Sequence, residues 1–121
     1  MNILVVDDDN NIRILCSKIL EQYCVTTAIN GLHATKLLET GSYDLVITDI
    51  FMPEKDGYEL ITDILQKYPE QKIICMSSGH VSISRSDGLR MAYHFGANVV
   101  LEKPFTKKRL LEIVKKVLEM R

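Results

Sequence analysis

The sequence predicts a one-domain α/β fold, a parallel sheet with helices on both faces. Three observations carry that prediction. Short apolar runs of strand length, such as Ile3-Leu4-Val5-Val6 and Leu45-Val46-Ile47, alternate with segments whose apolar residues recur at helical spacing. Several of these runs are apolar throughout rather than at every second position, which marks strands buried on both faces. The connections are a few residues long, without a linker or low-complexity tract, and 121 residues hold one core and leave no room for two.

In chain order, the first strand is Ile3 to Val6 and stops at Asp7-Asp8-Asp9. Ile12, Leu15, Cys16, Ile19 and Leu20 predict a helix from about Asn10 to Gln22, with Asp9 as its cap. Cys24 to Ile29 carries two threonines and reads as an edge strand, which Asn30-Gly31 breaks. Ala34, Leu37 and Leu38 mark a second helix closing at Gly41, and a third strand follows at Asp44 to Thr48. Pro53 cannot continue a buried strand, and Lys55-Asp56-Gly57 supplies turn chemistry. A third helix carries Leu60, Ile61, Ile64, Leu65 and Tyr68 and ends at Pro69. Lys72 to Met76 is a fourth buried strand; the stretch from Gly79 to Gly88, rich in Ser and Gly, reads as a loop. A helix is expected from Leu89 to Phe95 with Gly96 as its cap, then a fifth strand from Asn98 to Leu101. Thr106 caps a last helix whose core stripe is Leu110, Ile113, Val114, Val117 and Leu118. Five such units suit an open, flavodoxin-like (βα)5 three-layer sandwich with strand order 2-1-3-4-5, and are too few for an eight-fold barrel.

With 46% hydrophobic and 26% charged residues the composition is that of an ordinary globular protein. A formal net charge of −1 provides no global drive toward nucleic acid or anionic lipid. No apolar run approaches the roughly 20 residues that span a bilayer. Met1-Asn2-Ile3 runs straight into the first strand, so no signal peptide is expected and the location expected is cytoplasmic. Cys16, Cys24 and Cys75 lie in apolar segments and read as buried, reduced thiols. His33, His80 and His94 show no ligand spacing with one another or with Cys.

In a parallel sheet all strands end on one side. Asp7, Asp8 and Asp9 follow the first strand, Asp49 the third, Ser77 the fourth and Lys103 the fifth. Strand order 2-1-3-4-5 makes the first and third strands neighbours, so Asp7, Asp8 and Asp49 should converge in the crevice where open α/β sheets bind ligands. Two like charges ~4 Å apart at an effective dielectric of ~20 repel by roughly 4 kcal/mol, so such a cluster must protonate, spread or recruit a cation. Oxygen donors and few carboxylates suit Mg²⁺ with several waters better than Ca²⁺. Taken singly, these residues have structural explanations: Asp9 as a helix cap, Glu54 and Asp56 as turn residues, Ser77 bonding local backbone and Lys103 as a solvated turn residue. Convergence of the whole set at separate strand ends is what points to function.

VVDDD at 5–9, DLVITDIFMP with DG across 44–57, IICMSSG at 73–79 and LEKPF at 101–105 resemble the signatures of receiver domains, the phosphoacceptor modules of two-component response regulators. The resemblance covers the whole chain, 1–121, in a single-domain, stand-alone form. It implies that Asp49 is the phosphoacceptor and that Asp7 and Asp8 are the acidic pair. Asp8 and Asp49 would hold Mg²⁺ directly with the Phe51 backbone carbonyl, and Asp7 chiefly through water. Ser77 takes the place of the hydroxyl residue that reaches the phosphoryl group, and Lys103 that of the lysine that pairs with it, before a cis bond to Pro104. The N–H groups of Phe51 and Ser78 would donate to the phosphoryl oxygens. The implied donor is a phosphohistidine on a histidine kinase or phosphotransfer protein. The implied output is a surface formed by the helix over 89–95, the fifth strand and the last helix.

Three features depart from that pattern. Val100 stands where many receivers carry an aromatic switch residue, which shifts the expected signal route to ordering of residues 79–88. Phe51 and Gly79 cannot orient an attacking water, so slow self-dephosphorylation is expected. The last helix carries Lys107, Lys108, Arg109, Lys115, Lys116 and Arg121, a solvated face or an acidic partner's surface, with output through a protein partner or a homodimer rather than direct DNA binding. A haloacid-dehalogenase-type Mg²⁺ phosphatase would need a second Asp two residues after Asp49, where Phe51 stands. A nucleotide- or flavin-binding domain would need a Gly-rich phosphate loop where three carboxylates stand. A degenerate receiver serving only as an interaction module is the remaining alternative.

Overall fold

The structure is a computed structural model that describes residues 1–50, 52, 55–77, 94 and 96–120. Five strands, β1 (Asn2–Val6), β2 (Cys24–Ala28), β3 (Leu45–Asp49), β4 (Ile73–Ser77) and β5 (Val99–Glu102), form one parallel sheet in the order β2-β1-β3-β4-β5. The described helices are α1 (Asn10–Ile19), α2 (Gly31–Thr40), α3 (Gly57–Lys67) and α4 (Lys107–Leu118). The predicted architecture and strand order are those observed.

The three layers follow from the pleat of the strands, which sends alternate residues to opposite faces. Ile3 and Val5 of β1 join Leu45 and Ile47 of β3 against Cys16 and Ile19 of α1 and Leu110, Val114 and Val117 of α4. Leu4, Val6 and Val46 face the other way, against Ala34 and Leu38 of α2 and Leu60, Ile61 and Ile64 of α3. The central strands β3 and β4 are buried at every position, whereas β2 at the edge is buried only at Ala28. The threonine-bearing run thus marks one edge, whereas β5 at the other edge carries the apolar run Val99-Val100-Leu101 and is buried only at Leu101.

Each described helix starts on a side-chain cap that satisfies one of the N–H groups its first turn leaves over. Asp9, Asn30, Asp56 and Thr106 accept from the N–H of Asn11, His33, Glu59 and Arg109 respectively. α1 ends at Ile19, three residues short of the expected Gln22: Leu20 N–H donates to the Cys16 carbonyl at 2.9 Å and Glu21 N–H to the Lys18 carbonyl at 3.4 Å, which tightens and closes the last turn. Cys16 and Cys75 are buried as expected, but Cys24 is exposed, since it opens an edge strand; all three are free thiols. Gly96 has φ +84°, the left-handed conformation expected of a helix-ending glycine. The predicted loop over 79–88 and the predicted helix over 89–95, apart from His94, lie outside the described residues.

The strand ends that matter are held at a fixed height. Gly57 N–H donates to the Ile50 carbonyl at 2.8 Å, folding the segment after β3 back on itself. A Cβ at Gly57 would lie 2.1 Å from the Asp49 carbonyl oxygen, so only glycine permits this approach. Asp56-Gly57 thus starts α3 and seats the turn beneath Asp49 together.

Candidate functional site

Asp7 immediately follows β1 and is fully buried. Its N–H donates to the Ala28 carbonyl at 3.1 Å, which ties it to the edge strand. One carboxylate oxygen, Oδ1, accepts from the Asp9 N–H at 2.9 Å. The other, Oδ2, accepts from Lys103 Nζ at 2.7 Å. Asp8, the next residue, is exposed, and Asp9 serves as the cap of α1, the structural role expected of it.

Asp49 is the last residue of β3, one position inside the strand relative to the expected boundary, and is 5% exposed. Thr48 beside it is buried and its hydroxyl donates to the Asp49 carbonyl at 3.0 Å. Lys103 Nζ also donates to Asp49 Oδ2, at 3.1 Å, so one ammonium bridges the two buried carboxylates. The Lys103 N–H donates to the Ser77 carbonyl at 2.8 Å, pinning the residue to the end of β4, and the Lys103-Pro104 bond is cis as expected. Ser77, the last residue of β4, is 2% exposed. Asp7, Asp49, Ser77 and Lys103 thus come together at the same edge of the sheet. The backbone groups of Phe51 and Ser78, expected at this site, lie outside the described residues.

The electrostatics follow from this geometry. Burial alone would lower the Lys103 pKa, but the hydrogen bond it donates to Asp7 and the charges of Asp49 and Asp7 outweigh it and hold the ammonium above its ordinary value. Lys103 is therefore a permanent cation at neutral pH. The sequence placed it where it would neutralise a further anion; it already neutralises part of the protein's own charge. One ligand oxygen from each of Asp7, Asp8 and Asp49 lies within 4.8 Å of the others. Among the described residues, three carboxylates and the ammonium that bonds Asp7 and Asp49 leave negative charge over, and the donors are all hard oxygens. The cluster is compatible with a divalent cation on both counts. Beneath it, the Cys16 thiol is pushed up to about 12, by burial first and then by the Asp7 charge, which leaves it protonated and inert.

A model of the response regulator receiver domain matches residues 3–115. The chain belongs to that family. The receiver domain is 36% identical over 119 residues to the probable transcriptional regulator ycf27 of Cyanidium caldarium, covering 97% of this chain and 46% of that protein. It is 35% identical over 120 residues to the transcriptional regulatory protein CssR of Bacillus subtilis, covering 98% and 51% respectively. The chain spans about half the length of these two curated relatives. Among solved structures, it resembles the response regulator TrrA of Thermotoga maritima in complex with Mg²⁺-BeF, at 40% identity and a TM-score of 0.81, over 96% of this chain and 97% of that one. Asp7, Asp8 and Asp49 form an acidic cluster in a chain of the receiver-domain family, which is the setting of a signalling switch. No helix among the described residues is long and apolar enough to cross a membrane.

Two bonded cations stand outside the sequence expectations, one against the site and one between α2 and α3. Arg13 Nη1 donates to the Asp7 carbonyl at 2.7 Å and Nη2 to Asn10 Oδ1 at 3.1 Å. Lys55, read as a turn residue, has a half-buried side chain that pairs with Asp63 of α3 and donates to Thr35 of α2 at 3.2 Å. The first had a legible signal, since a cation one turn inside a helix capped by Asp9 can reach back over the turn before it. The second had none, because its partners lie 8 and 20 positions away on separate helices.

Proposed function

We propose that this receiver domain, read as residues 1–121, takes a phosphoryl group onto Asp49 from a phosphohistidine and thereby switches a protein-binding surface. The observation that carries the reading is the bridge from Lys103 to both Asp7 and Asp49 with Asp8 close by. It gathers acceptor, cation ligands and anion-binding lysine in one place. A carboxylate is a weak nucleophile toward an anionic phosphoryl group, so the protein must contribute positioning and charge neutralisation. An oxygen of Asp49 attacks phosphorus, the P–N bond breaks, and its electron pair stays with the departing imidazole nitrogen. The product is an aspartyl phosphate.

Lys103 would donate to a phosphoryl oxygen once Asp49 carries the group, and the Ser77 hydroxyl would donate to another. The backbone N–H groups of Phe51 and Ser78 would complete the set. Asp7, Asp8, Asp49 and the Phe51 carbonyl would hold Mg²⁺, which when bound neutralises charge on the transferring group. The donor is a histidine kinase or phosphotransfer protein, and output goes to a downstream protein or to a second copy, without direct nucleic-acid or membrane contact. Phe51 and Gly79 support slow loss of the phosphoryl group. The location proposed is the cytoplasm, in keeping with three free thiols.

Incubation with Mg²⁺ and acetyl phosphate tests the reading, with intact mass as the readout. A phosphoryl adduct is expected on the native chain and none on Asp49→Ala. Absence of an adduct on the native chain would leave the interaction module in its place, and an adduct on the Ala variant would move the acceptor elsewhere.

A further inference from the structure

We infer that Arg13 is a positioning residue for the divalent-cation site, fixing the peptide that joins Asp7 to Asp8. The inference rests on reading the acidic cluster as a cation site. Asp7 is held on every side: its N–H by Ala28, Oδ1 by the Asp9 N–H, Oδ2 by Lys103, and its carbonyl by Arg13. The first three fix where the Asp7 side chain and strand end lie. The fourth acts on a different object. The Asp7 carbonyl belongs to the peptide unit that carries the Asp8 N–H and leads to the Asp8 Cα, so its orientation sets the direction in which Asp8 leaves the turn.

Asp8 is exposed, unlike its two partners in the cluster. Repulsion from Asp7 and Asp49 drives its carboxylate toward solvent, so the approach within 4.8 Å must be imposed by the backbone. Arg13 imposes it with one arm on the Asp7 carbonyl and the other on Asn10 Oδ1, across the β1–α1 turn. The planar guanidinium fork is suited to holding two acceptors at once. The Arg13 carbonyl accepts from the Ser17 hydroxyl at 2.8 Å within α1, so the arginine is itself anchored to the helix.

Charge and positioning make opposite predictions here. Removing a nearby positive charge should tighten cation binding, because one repulsion is lost. Removing a clamp that aims a ligand should weaken it, and outer partners of metal ligands typically control affinity by 10–100-fold. Titration calorimetry with Mg²⁺ on the full chain, with no phosphoryl donor present, separates the two. Arg13→Met is expected to bind Mg²⁺ at least about 10-fold more weakly than the native chain. Arg13→Lys should fall between them, since it can remake one of the two bonds. If the Met variant does not fold, Arg13→Gln takes its place, and folding is checked by unfolding in EDTA. A neutral variant that binds Mg²⁺ as tightly as the native chain, or more tightly, overturns the inference. A native chain that does not bind Mg²⁺ overturns the cation reading itself, a different and separately visible result.

Discussion

Replacing Lys103 by Met should expose what the lysine holds in check. Methionine keeps most of the stem and removes the ammonium that bonds Asp7 and Asp49. Both carboxylates are nearly inaccessible, with side-chain exposures of 0% and 7%, so water cannot take over the lysine's role. Their ligand oxygens lie within 4.8 Å. At an effective dielectric of about 20 the repulsion released is about 3.5 kcal/mol, in line with the 3–5 kcal/mol typical of breaking a buried pair from one side. The variant should therefore be less stable by about 3–4 kcal/mol near neutrality.

The folded-state pKa of Lys103 is raised, so its contribution is fully present below the ordinary lysine range and is lost only as pH rises through the raised value. Native chain and variant should differ most between the carboxylate and lysine ranges. Urea unfolding followed by circular dichroism in EDTA, at about pH 7, measures the difference. No loss near neutrality would refute the view that Lys103 compensates two buried charges.

Two further outcomes follow from the same cluster and its surroundings. Asp8→Asn should raise stability in EDTA by about 1–2 kcal/mol, since it removes two repulsions at an exposed position, and should abolish most of the stabilisation that Mg²⁺ gives the native chain. Unfolding with and without Mg²⁺ would contradict this if the variant proved less stable in EDTA or gained as much from the cation. Thiol labelling of the native chain should modify Cys24 alone, because burial pushes the Cys16 and Cys75 thiols up to about 12. More than one label per chain by intact mass before unfolding would count against the described packing.

The fold was legible because its signals are local. Short apolar runs bounded by turn chemistry point to strands, and Asp9 and Thr106 announce helix starts by their own chemistry. The site was legible because its groups stand at strand ends, whose common side is a topological certainty in a parallel sheet. What the residues could not show was who bonds to whom. Lys103 was placed facing an incoming anion, whereas its present partners are two aspartates 96 and 54 positions away. Cys24 is exposed against expectation because an apolar neighbourhood in sequence is not burial when the strand has a free edge. Lys55 was read from its turn, yet its side chain is claimed by α2 and α3.

The span of the bond from Lys103 to Asp7 has a consequence for how the chain folds. β1 and β3 are adjacent, so their association brings the aspartates together, while the lysine arrives only when β5 docks on β4 at the far side. Any partly assembled sheet lacking that last strand confines like charges without the lysine that bridges them. Such intermediates are penalised at neutral pH, and the penalty disappears at the last step. The charges that make the crevice useful also favour all-or-none assembly of the sheet that contains it.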